Sequence, residues 1–112
     1  MDRSAEAGRL HRKIPVKRRG PVVGLTLGDP AGIGPEVVAK TVRRLSRKMG
    51  FCPIGSRHGV RPGHPCLSGA RQAKRALEES VRLLKKKQIQ AVVNGPVSKE
   101  WLKRAGFLFP GQ

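Results

Sequence analysis

Thr26-Leu27-Gly28-Asp29-Pro30-Ala31-Gly32-Ile33-Gly34-Pro35-Glu36 is the stretch around which the 112-residue chain is organised. It follows the apolar run Val22-Val23-Gly24-Leu25 and opens an amphipathic segment. It therefore reads as the end of a strand, a glycine-rich turn and a helix start. Pro35 suits the first helical position, where its missing N–H costs nothing, and Glu36 suits the positive end of a helix dipole. Gly28, Gly32 and Gly34 let the backbone bend and approach a ligand or a neighbouring element closely. Bare N–H groups at such a helix start can hold an anion, and the turn can equally be structural alone. Gly32-Ile33-Gly34 supplies part of the dinucleotide fingerprint, but Val37 stands at the third glycine position and no Walker lysine follows.

Working outward, residues 22–27 read as a buried strand and 35–49 as a helix stopped by Gly50. Val38, Val42, Leu45 and Met49 form its apolar stripe; Arg43, Arg44, Arg47 and Lys48 fall largely off it, as a solvated face or a phosphate contact. Residues 51–67 carry many breakers and no period, so an irregular Gly/Pro/Arg-rich loop is expected there. Cys52, His58, His64 and Cys66 lie in or beside that loop. They are zinc-ligand types, but C-x5-H-x5-H-x-C is no finger or knuckle spacing, and an unstructured junction is the preferred reading.

Ala70, Ala73, Leu77, Val81 and Leu84 then recur at helical steps through about Lys87, with Glu78 and Arg82 paired at i, i+4. Lys85, Lys86 and Lys87 complement the helix C-terminus. Residues 89–93 read as a short buried strand, Asn94-Gly95-Pro96 as a turn, and 97–105 as a helix ended by Gly106, with Trp101 in the core. Strand, helix, loop, helix, strand, helix is an α/β plan.

In such a sheet the ligand crevice lies at the carboxyl ends of the strands. That selects the turns at residues 28–34 and 94–99, with Asp29, Gly32, Gly34, Asn94, Ser98 and Lys99 as candidate substrate-binding residues. Each has a structural counterpart. Asp29 more naturally caps its own turn, and Ser98 the following helix. Lys99, a cation in a first helical turn, is either a phosphate partner or a surface side chain.

Composition bounds the rest. The length allows one small domain, and nine prolines and fourteen glycines limit its regular structure. Against 7 Asp and Glu stand 24 Lys and Arg, a formal net charge of +17. That charge attracts polyanions non-specifically. No apolar run reaches the roughly 18 residues of a membrane span. Two cysteines make no disulfide framework, so a cytoplasmic setting is expected. Residues 1–20 are a basic leader without an apolar signal core, expected to be disordered, and 21–112 a partial α/β domain.

The opening string, with Val37-Val38-Ala39-Lys40 after it, resembles the N-terminal signature of the 4-hydroxythreonine-4-phosphate dehydrogenase family of vitamin B6 biosynthesis. A second block is also similar. Ala91-Val92-Val93-Asn94-Gly95-Pro96-Val97-Ser98-Lys99-Glu100 and Ala105-Gly106-Phe107-Leu108-Phe109-Pro110-Gly111 match its strand, Thr-x-Pro-x-x-Lys turn and Ala-Gly…Phe-Pro-Gly-His run. The resemblance covers residues 22–44 and 68–111. It implies an isocitrate/isopropylmalate dehydrogenase-like fold, a homodimer, NAD and a divalent metal as cofactors, and a phosphorylated hydroxy-amino acid that is oxidised and decarboxylated.

Asn94 stands where the family has Thr, Gln112 where it has His, and no family metal ligand maps onto this sequence. The expectation is thus a truncated, internally shortened dehydrogenase-like protein, inactive alone and binding neither cofactor, with catalytic and metal residues unassigned. The alternatives are a small basic nucleic-acid-binding module and a phosphate-binding remnant without turnover.

Overall fold

The computed structural model describes residues 20–107; expectations for residues 1–19, and for the Leu108 to Gln112 end of the second block, lie outside the described residues. Three parallel strands form one sheet in the order β2-β1-β3: β1 (Val22–Thr26), β2 (Gly50–Ile54) and β3 (Ala91–Asn94). Three helices alternate with them: α1 (Gly34–Leu45), α2 (Leu67–Lys85) and α3 (Lys99–Arg104). Val22 pairs with Gly50 and Thr26 with Ile54 on one side of β1; Val23 pairs with Ala91 and Thr26 with Asn94 on the other.

Strand alternation sorts the core into two layers. Val22, Cys52 and Ile54 face Ala76 and Leu83 of α2, with Ile89 beside them. Leu25, Leu27 and Phe51 face Val38 of α1, with Val23 and Val42 at the margin. The helices therefore cover opposite faces, as right-handed crossovers to the two sides of β1 require. Each fully buried aliphatic side chain contributes about 1.5–3 kcal/mol.

Several expectations are corrected. The stretch at 51–67 is not irregular throughout, because Phe51, Cys52, Pro53 and Ile54 belong to buried strand β2. Pro53 reads as a breaker, yet among the described residues β2 is an edge strand and tolerates a missing ladder N–H. Gly50 does not end the helix but opens β2, and α1 stops at Leu45 with Ser46 as its cap. Leu45 and Met49 of the expected stripe are consequently 38% and 43% exposed.

On α2 the buried face is turned by about one residue. Ala73, Ala76, Ser80 and Leu83 are buried, while Val81 is 48% and Leu84 38% exposed. Small residues let the helix axis approach the sheet closely, which the larger aliphatics would prevent. Arg82 pairs with Glu79, not Glu78. Residues 89–93 are not a buried strand: Ile89 is buried ahead of β3, but Val93 within it is 57% exposed at the sheet margin. On α3 the core residue is Leu102; Trp101 is only half-buried, with the Arg104 guanidinium 4.6 Å from its ring centroid.

Candidate functional site

Both glycine turns lie at the carboxyl edge of the sheet and are joined by backbone hydrogen bonds. The Asp29 N–H donates to the Pro96 carbonyl at 2.9 Å, and the Gly95 N–H to the Thr26 carbonyl at 2.9 Å. Thr26 Oγ1 adds a second acceptor for Gly95 at 3.1 Å and donates to Asn94 Oδ1 at 3.0 Å. Glycine makes this contact possible. A Cβ on Gly28, which has φ +73°, would lie 2.3 Å from the Pro96 oxygen, and one on Gly95 would lie 2.7 Å from the carbonyl oxygens of Thr26 and Leu27. Gly34 is tighter still, since its Cβ would meet the Leu27 oxygen at 1.8 Å.

Among the candidate residues the structure thus distinguishes scaffold from surface. Asp29 is buried, and its Oδ1 accepts the Ala31 N–H at 2.9 Å, an Asx cap of its own turn. Ser98 caps α3 by accepting the Trp101 N–H at 3.3 Å. Gly34 is buried in the backbone contact. Gly32, Asn94 and Lys99 are exposed along the same edge. A Cβ on Gly32 would meet only the Asp29 carbonyl at 3.4 Å. No side chain caps the N-terminus of α1, which leaves first-turn N–H groups for solvent or an anion.

The irregular residues after β2 pack over this edge. The Gly63 N–H donates to the Ala31 carbonyl at 2.7 Å. Gln72, buried on α2, clamps the segment: its Oε1 accepts from Ser56 Oγ and the His58 N–H, both at 2.8 Å, and its Nε2 donates to the His58 carbonyl at 2.8 Å. Sequence reasoning missed this residue. The available signal was a lone amide between Ala70 and Ala73 on an otherwise small apolar face.

An open cleft of about 510 Å³ lies elsewhere, between Ile54–Ser56 and the Gln72, Arg75, Glu79 and Arg82 side of α2. Beneath it, burial pushes the Cys52 thiol up from its ordinary range and the charge of Glu79 adds to the shift; a protonated thiol is no nucleophile. Cys66 caps α2 by accepting the Gly69 N–H at 3.4 Å. The two cysteines thus occupy separate structural positions. Among the described residues no three His, Cys, Asp or Glu side chains gather to hold a metal, and none of their helices is long and apolar enough to cross a membrane.

The fold and its joined turns define a parallel α/β protein with a crevice edge at the carboxyl ends of its strands. Residues 27–112 match the family described as the pyridoxal phosphate biosynthetic protein PdxA, and the chain belongs to that family. A 4-hydroxythreonine-4-phosphate dehydrogenase of Zymomonas mobilis is 35% identical over 128 residues, covering 80% of this chain and 38% of the relative. One of Maricaulis maris is 28% identical, covering 80% and 39%. The structure of a 4-hydroxythreonine-4-phosphate dehydrogenase from Burkholderia phymatum superposes with TM-score 0.67 at 22% identity, over 85% of this chain and 42% of that one. The chain therefore spans about two-fifths of the length of the relatives it matches. An alignment of 128 residues is longer than the whole chain, so the relative carries residues inside the matched span that this chain lacks.

Proposed function

We propose that this chain supplies the amino-terminal wall of a substrate crevice of the 4-hydroxythreonine-4-phosphate dehydrogenase kind, in an isocitrate/isopropylmalate dehydrogenase-like fold. Such an enzyme oxidises a phosphorylated hydroxy-amino acid with NAD, assisted by a divalent metal and acting as a homodimer. The observation that carries the reading is the pair of turns bonded through Asp29 and Pro96, which leaves Gly32, Asn94 and Lys99 exposed on one edge. Lys99 would meet the phosphate and Asn94 a hydroxyl, while Asp29, Gly34 and Ser98 hold the turns that present them. The described residues gather no metal ligand set, and the dinucleotide fingerprint is incomplete at Val37.

On this reading the chain binds a phosphorylated hydroxy acid without turning it over. Calorimetric titration with 4-hydroxythreonine 4-phosphate should give saturable binding that Lys99→Ala weakens by about 1.5–3 kcal/mol, the range for a hydrogen bond to a charged group. Unchanged affinity in Lys99→Ala would remove the phosphate role, and NAD reduction by the chain alone would contradict its dependence on further sequence.

A further inference from the structure

In a parallel sheet with alternating helices, every helix ends at the amino edge of the strands, opposite the crevice. Here both long helices end in exposed cations. Arg43 and Arg44 close α1, with Arg47 and Lys48 in the turn to β2; Lys85 closes α2, with Lys86 and Lys87 directly after it. None of these seven makes an ion pair among the described residues. The carboxylates of the described residues lie elsewhere: Asp29, Glu36 and Glu100 follow the carboxyl ends of strands, and Glu78 and Glu79 sit within α2.

Helix-dipole complementation accounts for a cation in each last turn. Lys86 and Lys87, at the C-cap of α2 and next to it, share that role, but the dipole alone does not call for seven cations at two helix ends. Lys87 is also held at φ +61°. Its N–H donates to the Leu84 carbonyl and that of Gln88 to the Leu83 carbonyl, both at 3.0 Å. That is the helix-ending motif in which glycine is favoured, so a cation stands where its backbone is costly.

We propose that this amino-edge rim is a sequence-independent binding surface for the phosphate backbone of a nucleic acid. The two cation groups end helices on opposite faces of the sheet at the same edge, an arrangement that suits a linear polyanion, and three of the four at the end of α1 are arginines, whose forked guanidinium matches phosphate. An anionic membrane fits less well. Leu45, Met49 and Leu84 are partly exposed nearby, but among the described residues that form the rim there is no aromatic anchor. The proposal is independent of the dehydrogenase reading.

The test is titration of the full chain with duplex DNA of two unrelated sequences across a salt series. The triple variant Lys85→Gln/Lys86→Gln/Lys87→Gly is compared with Arg61→Gln/Arg71→Gln/Arg75→Gln, which removes equal charge from exposed positions on the loop after β2 and the first half of α2. Residues 1–19 are identical in both, so the difference reports the rim. The rim variant should bind both sequences about tenfold or more weakly, its log-affinity against log-salt slope falling by about 0.9 per phosphate contact removed, while the control stays within about twofold. The single Lys87→Gly change removes a charge while relieving backbone strain, so its shallower slope cannot come from unfolding. Equal losses in both triple variants, an unchanged slope in Lys87→Gly, or binding to phosphatidylserine vesicles but not to DNA would overturn the proposal.

Discussion

Two glycines of one turn do different work, and substitution separates them. A Cβ at Gly34 cannot coexist with the Leu27 carbonyl 1.8 Å away, which is backbone and cannot swing aside. Gly34→Ala should cost about 3 kcal/mol, at the upper end of overpacking penalties. Gly32→Ala, whose Cβ would meet one atom at 3.4 Å, should stay within about 0.5 kcal/mol; urea unfolding measures both. The spacing of these glycines was legible in the sequence because a sharp turn is a local demand. Which glycine served backbone packing was not, because the contacts exist only in the folded turn: Gly28 lies against Pro96 and Gly95, more than sixty residues away, and Gly34 against the Leu27 carbonyl. Cys52 gives a pH dependence at the same scale. Its folded-state pKa is raised above the ordinary 9.0, so above that pH the unfolded chain loses the proton first. Stability is full below about pH 9 and falls as pH rises further, and Cys52→Ala should remove that decline from alkaline melting curves.

At the scale of elements, the order of helices and strands followed from periodicity and turn residues, with β2 as the exception. Pro53 between Gly50 and Gly55 carries every mark of a loop, and only pairing with β1 makes it a strand. The facing of α2 was misread for a related reason. Leu77, Val81 and Leu84 make the stronger apolar stripe, but close approach to the sheet selects Ala73, Ala76 and Ser80. Gln72 belongs to that close face. Gln72→Ala strips the loop groups of Ser56 and His58 of their partner and should lower stability by about 1–3 kcal/mol. At the other end of α2, Lys87→Gly removes a left-handed lysine and should raise the denaturation midpoint, a gain of about 0.5–1 kcal/mol.

For the molecule as a whole, the α1 layer of the sheet is thinly covered beside β3. Val93 on β3, together with Ile33 and Val37 at the start of α1, leaves large aliphatic groups 47–65% exposed, and β3 has an edge not paired among the described residues. Edges of this kind recruit further strands or copies. Val93→Lys should reduce concentration-dependent association in sedimentation while leaving the β1–β3 register intact. None of this coverage could be read from residue patterns, since a strand that looks apolar in sequence does not declare what lies beside it. The family could be read, because two blocks of the chain preserve its turn sequences.

The proposed role of the two joined turns, as the amino-terminal wall of a dehydrogenase crevice, is open to direct measurement. The most direct measurement grafts residues 22–107 in place of the matching segment of the Zymomonas mobilis relative and follows NADH formation with 4-hydroxythreonine 4-phosphate. The chain alone should form none. A graft that folds should oxidise the substrate, and Lys99→Ala within it should abolish most of that rate. A folded graft that binds NAD but forms no NADH, or whose rate ignores Lys99→Ala, would contradict the account.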